Sequence, residues 1–239
     1  MMGYIDNQLI HKGKDMLSEK LENIVKTILE KPDLQVGLEK YRKLIHLLNV
    51  NKIDVSKDMD FQKLYKNFYA VAHRPVNFVP AYFNVFNKAL NNPNIDKKDI
   101  FNRVCAIAGM CEISYVSKIL HNLDQNIPIF DSVVGNEHFG FDFNKIRNTK
   151  ASFEENRDKA WDFYLKYKKH FESYMKSDEA QAMVRLFDNT FPQYKNEISD
   201  VKKVDFVLWQ DRTKKNKKTK QITQTQQIII PDGYKYHKN

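Results

Sequence analysis

Two cysteines, Cys105 and Cys111, are the only thiols in a chain of 239 residues. That count excludes a disulfide framework and a four-thiolate zinc or iron–sulfur site, and both are expected as reduced residues in or near a core. No run approaches the roughly 20 apolar residues that span a bilayer. The opening Met1-Met2-Gly3-Tyr4-Ile5-Asp6 lacks the basic-then-apolar layout of a signal peptide. A cytoplasmic location without a membrane partner is therefore expected. Also missing are a glycine-rich phosphate loop, zinc-ligand spacings, a serine-nucleophile elbow and a two-histidine metal motif. These absences close the commonest local routes to enzymatic function, so neither a cofactor nor a metal is expected. No internal repeat is visible.

What is present is apolar and aromatic. Hydrophobic residues make up 42% of the chain, with 16 Phe and 12 Tyr, far more than a disordered chain carries. The length suffices for a substantial core in one domain or in two closely packed helical subdomains. Lys and Arg outnumber Asp and Glu by 39 to 30, a net charge of +9 that favours a polyanionic partner such as DNA. Part of the excess is Lys214, Lys215, Lys217, Lys218 and Lys220, which reads equally as a DNA-tracking tail or as an ordinary solvated one.

Apolar residues recur at steps of three and four, which predicts an all-α fold. Leu21, Ile24, Val25, Ile28 and Leu29 form the first stripe, ended by Pro32-Asp33. Leu38, Tyr41, Leu44, Ile45 and Leu48 form the second. Phe61, Leu64, Tyr65, Phe68 and Ala72 form the third, in a helix opening near Asp60. His73-Arg74-Pro75-Val76 breaks the pattern, and a short helix bearing Phe83, Phe86 and Leu90 follows. Later helices are expected over 153–175, 178–191 and 201–209. Residues 1–211 are thus expected as a single helical domain with an N-terminal helical layer over 1–73. Residues 212–239 are expected as a basic tail with a short strand at 221–230.

The central segment carries the functional signal. Asp99 can cap a helix from Ile100 to Ala108, and Gly109 ends it in a turn that needs a positive φ. A second helix then buries Ile113, Val116, Ile119, Leu120 and Leu123. After Pro128-Ile129-Phe130, Asp131 precedes Ser132-Val133-Val134 and is an N-cap candidate, its carboxylate set over a helix N-terminus.

This order of parts resembles the active-site region of helix-hairpin-helix DNA glycosylases, in which a glycine-bearing hairpin is followed by an aspartate that caps a helix and faces the flipped nucleotide. Glu112 to His121 and Pro128 to Ser132 are also similar to uncharacterised bacterial proteins with a glycosylase-like fold. The resemblance implies that Asp131 stabilises the sugar cation, or orients a water, as the N-glycosidic bond breaks. It also implies that amides around Gly109, Met110 and Cys111 grip a DNA phosphate. The family's hairpin lysine would fall near Glu112 or Ile113. Lys118 lies nearer Asp131, so hydrolysis is expected in preference to a lyase step. Cys111 stands where the family hairpin commonly has a second glycine, and Val133 where a histidine often follows.

Each residue also has a plainer reading. Asp131 is explained as a cap alone, Lys118 as a solvated lysine and Glu112 as a first-turn carboxylate. Ser114 and His121 lie on the more polar side of the second helix, facing DNA or solvent. His73 and Arg74 are contacts to phosphate or cations at a helix end. Trp209, Trp161 and Tyr164 are stacking surfaces for an extruded base or core aromatics. The expected function is excision of a base from DNA. The alternatives are a non-catalytic nucleic-acid-binding protein of the same fold and a helical protein-interaction module.

Overall fold

The computed structural model describes residues 19–49, 52–71 and 77–212. His73, Arg74, the lysine-rich tail and the expected strand at 221–230 lie outside the described residues. Within these residues the structure is all-α, with no strand. The helices are α1 (residues 19–29), α2 (Pro32–Asn49), α3 (Met59–Tyr69), α4 (Phe78–Leu90), α5 (Lys97–Ala108), α6 (Ile113–Leu123), α7 (Phe153–Tyr174), α8 (Asp178–Thr190) and α9 (Asp200–Gln210). Between α6 and α7 lies a π-helix, Ser132–His138. No described helix is long and apolar enough to cross a membrane.

Helix starts follow side-chain chemistry. Pro32 opens α2, where its missing N–H costs nothing. Asp58 accepts from the Phe61 amide at the start of α3, and Ser152 and Glu155 form a reciprocal capping box on α7. Ser177 and Ser199 cap α8 and α9. The start of α5 differs from the sequence expectation: Asp96 is the cap, and Asp99 sits in the first turn, where it pairs with Arg103 at 2.7 Å. With Asp96 binding the Lys98 amide, the backbone at Asp99 is already helical and its carboxylate turns to an i,i+4 partner instead.

The apolar stripes meet in one core that runs from Ile24 to Leu208. Its many tyrosines need partners for their hydroxyls, and they find them in each other and in backbone carbonyls. Tyr82 donates to Tyr115 O at 3.0 Å, which leaves Tyr65 as the donor in the 2.8 Å contact between Tyr65 and Tyr82. Trp161 packs on Phe101 with ring centroids 5.3 Å apart, and Tyr164 is buried. Both are core residues, not surfaces for a stacked base.

The extended segment from Ile127 to Phe130 cannot pair its backbone groups locally, and two flanking helices do so instead. His121 Nδ1 donates to Ile127 O at 2.8 Å, Tyr164 OH to Pro128 O at 3.2 Å, and Tyr167 OH to Ile129 O at 2.7 Å. Ser117 Oγ accepts from the Phe130 amide at 3.0 Å. All four side chains are buried. Because a carbonyl only accepts, His121 Nδ1 must carry the proton, and Nε2 accepts from Tyr41 OH at 2.9 Å. Burial, assisted by the nearby Lys202 charge, pushes the imidazole down to about 3, so the ring is neutral.

Past this segment the chain enters the π-helix, whose wide turn brings Gly135 under Phe130. A Cβ on Gly135 would lie 2.4 Å from a Phe130 ring carbon. The ring fits only because that atom is absent. Phe130 is also packed edge-on against Tyr167 at 5.1 Å and Phe163 at 5.5 Å, so it has little room to withdraw.

Two stability measurements follow. Gly135→Ala is expected to lower unfolding free energy by about 1–3 kcal/mol in denaturant titrations, because Phe130 must leave its packed position. For His121, the folded state refuses a proton that the unfolded chain takes below its ordinary value of 6.5. Stability should therefore fall as pH drops from 6.5 towards 3, with a contribution of about 1.4 kcal/mol per pH unit. The slope of unfolding free energy against pH in wild type, less that in His121→Asn, measures this contribution. Equal slopes would show that the ring is not held neutral.

Candidate active site

The hairpin between α5 and α6 is built as its residues require. Gly109 has φ +65°, ends α5 and sends its amide back to Ala106 O at 3.3 Å. The Glu112 amide donates to Cys105 Sγ at 3.3 Å, and no side chain caps the start of α6. Burial pushes the Cys105 thiol up to about 12, and Cys111 is raised for the same first reason. Neither cysteine is a nucleophile at neutral pH.

Asp131 caps the π-helix through one carboxylate oxygen, Oδ1, which accepts from the Val133 and Val134 amides at 2.9 and 2.8 Å. Its Oδ2 has no hydrogen-bond partner among the described residues and is not sealed from solvent. Burial and the neighbouring Asp205 carboxylate raise Asp131 to about 6, against the pull of the two amides and of Lys118. Capping and an open carboxylate face therefore coexist: one oxygen fixes the group, the other is available.

Lys118 lies one turn into α6 and is 8% exposed, so the reading of a solvated lysine does not hold. Its Nζ donates to Ser114 Oγ at 3.2 Å and sits 5.2 Å from the centre of the Tyr115 ring. No carboxylate lies within ion-pair distance of it among the described residues. Burial lowers its pKa to about 8, while Asp131 and Glu112 act to raise it. The amine is held, desolvated and unneutralised.

Both groups line a cavity of about 780 Å³. Its walls come from α2, the end of α3, the start of α6, the 129–136 segment and α9. α9 is fixed there by three ties: Ser199 Oγ to Gln125 O at 2.7 Å, His138 Nε2 to Leu208 O at 2.9 Å, and Lys31 Nζ to Gln210 O at 2.7 Å. It presents Lys202, Asp205, Phe206 and Trp209 to the cavity. Lys202 is 4% exposed and bonds Asp205 Oδ2 at 2.6 Å. Its Nζ lies 4.6 Å from the Phe206 ring centre and between 5.2 and 5.8 Å from those of Tyr41, Phe68 and Tyr69. The Arg212 guanidinium lies 3.9 Å from the centre of the Trp209 ring.

Of the residues singled out in the sequence, the structure brings Asp131, Lys118, Ser114 and Trp209 to this one cavity, with Glu112 beside them. Gly109, Met110 and Cys111 do not line it. Met110 is exposed on the hairpin, and Cys111 is half-buried. His121 needs correction as a DNA-facing residue: it is fully buried and spent on Tyr41 and Ile127, because the carbonyl at Ile127 has no other donor. Lys202 and Asp205 are the additions. Read alone, Lys202-Lys203 looks like a solvated lysine pair. The i,i+3 and i,i+4 steps from Lys202 to Asp205 and from Asp205 to Trp209 set all three on one helix face, and that spacing is the signal that marks them.

The arrangement can hold a ligand between aromatic walls, oppose a developing positive charge with Asp131, and offer an amine electron pair from Lys118. Among the described residues no group of three or more His, Cys, Asp or Glu is placed to hold a metal ion. Compared with known protein families, with curated proteins and with solved structures, the chain matches none.

Proposed function

We propose that this chain excises bases from DNA in the manner of helix-hairpin-helix glycosylases, with Lys118 as an amine nucleophile and Asp131 as the carboxylate facing the sugar. The observation that carries the reading is the Lys118 amine: buried, free of ion-pair contact, brought down to about 8 and set in the same cavity as Asp131. At pH 7 roughly a tenth of such amines are neutral, against fewer than one in a thousand for an ordinary lysine. That is the difference between a bystander and a nucleophile. The order of hairpin, helix, proline-bearing segment and capping aspartate supports the family assignment, and the net charge of +9 supports a polyanionic substrate.

The chemistry follows from the geometry. As the C1′–N bond breaks, its electron pair leaves with the base, and positive charge grows on the sugar. The fixed Asp131 carboxylate opposes that charge at no cost in reorganisation. The Lys118 nitrogen then bonds C1′ and gives up its proton, and opening of the sugar ring leaves an imine between enzyme and DNA. Sequence alone favours simple hydrolysis; the burial of Lys118 is the reason to place the amine in the reaction.

Borohydride reduction of the imine gives the test. Wild-type protein mixed with duplex DNA carrying an abasic site should form a covalent adduct under borohydride, and Lys118→Met should form none. Asp131→Asn should keep its fold, since asparagine caps as well as aspartate, and should lose about 10²–10³-fold in excision rate. The excision rate should climb with pH through about 6, as Asp131 ionises, and again through about 8, as Lys118 loses its proton. An adduct that persists in Lys118→Met removes the lysine from the mechanism. Salt-sensitive DNA binding with no adduct and no base release establishes the non-catalytic alternative.

A further inference from the structure

The cavity contains one polar atom that the mechanism above does not use. Asp205 is 5% exposed and lines the cavity, and its two oxygens have different fates. Oδ2 is held by Lys202 at 2.6 Å, while Oδ1 is buried without a hydrogen-bond partner. A buried carboxylate oxygen left without a donor is costly, and a native structure keeps one where something else supplies the hydrogen. Lys202 is fixed in turn, with its ammonium among four aromatic rings. The pair therefore sets Asp205 rigidly, one oxygen spent and one unspent, one helical turn from the indole of Trp209.

We infer that Asp205 Oδ1 is the acceptor that selects the extruded base, and that it takes a ring N–H of a lactam-type base such as hypoxanthine or uracil, with Trp209 beside it as the stacking surface. This rests on the base-excision reading and names its substrate class. A carboxylate can only accept, so the facing edge of the base must donate. Hydrogen bonds to an anionic acceptor strengthen as the donor becomes more acidic, and a lactam ring N–H is more acidic than an exocyclic amine. Adenine and cytosine carry a bare ring nitrogen at the equivalent position and would set one lone pair against another. A site built around such a bond rejects the analogue that lacks the hydrogen more strongly than an apolar slot rejects a change of size.

Lys202 makes the inference sharply testable. In Asp205→Asn the ammonium can be met only by the amide oxygen, which turns the amide NH₂ to the position of Oδ1. The free atom changes from acceptor to donor, and the preferred base edge should change with it.

The experiment measures excision from otherwise identical duplexes carrying hypoxanthine, 1-methylhypoxanthine or adenine, and in a second series uracil, 3-methyluracil or cytosine. Wild type should favour the lactam member of at least one series over both of its companions by roughly ten- to hundredfold. Asp205→Asn should reverse the order between that lactam base and its amino counterpart. The N-methylated bases test the same bond on unaltered protein, so the inference stays falsifiable if the variant does not fold. Borohydride trapping of wild type on abasic duplex, which has no base to recognise, separates the two levels. Trapping together with indifference to N-methylation, with an unreversed preference in a folded Asp205→Asn, or with no excision of either lactam base overturns the role of Asp205 alone. Absence of trapping in wild type overturns the base-excision reading and this inference with it.

Discussion

The grip of α6 and α7 on the extended segment from Ile127 to Phe130 is the constraint on which the rest of the site depends. A stretch of backbone with no partner strand would otherwise leave its carbonyls to water or to burial unpaired, each at a cost of about 1–3 kcal/mol. His121, Tyr164, Tyr167 and Ser117 remove that cost one group at a time. In doing so they fix the direction in which the chain arrives at Asp131. Ser117 and His121 flank Lys118 on the same helix, so the element that holds the segment also carries the amine. The separation between amine and carboxylate is thereby tied to buried hydrogen bonds and not to a mobile loop, which is the kind of support a reacting pair needs.

The site is built against the preference of the core around it. Lys118 and Asp131 are each less readily charged than in water, since burial drives the lysine down and the aspartate up. A protein selected only for stability would fill these positions with apolar side chains. The same tension recurs at Lys202 and Asp205, a lysine set among aromatic rings and a carboxylate half satisfied. Two such pairs facing one cavity are a concentration of unfavourable burial, and structures keep that where chemistry or recognition requires it.

Much of the fold was legible in the sequence because helical periodicity is a local signal. The stripes from Ile24 to Leu29 and from Leu38 to Leu48, the Gly109 turn and the Asp131 cap all depend on residues within one or two turns of each other. The burial of Lys118 and His121 was not legible. On α6 alone both fall on the side that carries Ser114 and Ser117, and only the arrival of α7, α9 and the 127–130 segment covers that side. The start of α5 was misplaced because Asp96 and Asp99 are both good caps, and the choice lies in backbone angles. Asp205 was invisible for a related reason. An aspartate three residues after a lysine is an ordinary surface pair until the structure shows that both are buried and that one oxygen is left over.

The fixed tautomer of His121 has one further consequence. From Tyr41 OH to Nε2, and from Nδ1–H to the Ile127 carbonyl, every hydrogen points the same way, and the row ends on an atom that cannot accept a proton covalently. The row is an orienting strut and a dead end for proton conduction. A base leaving the cavity must draw its proton from the open mouth, so traffic of acid and product shares a single entrance.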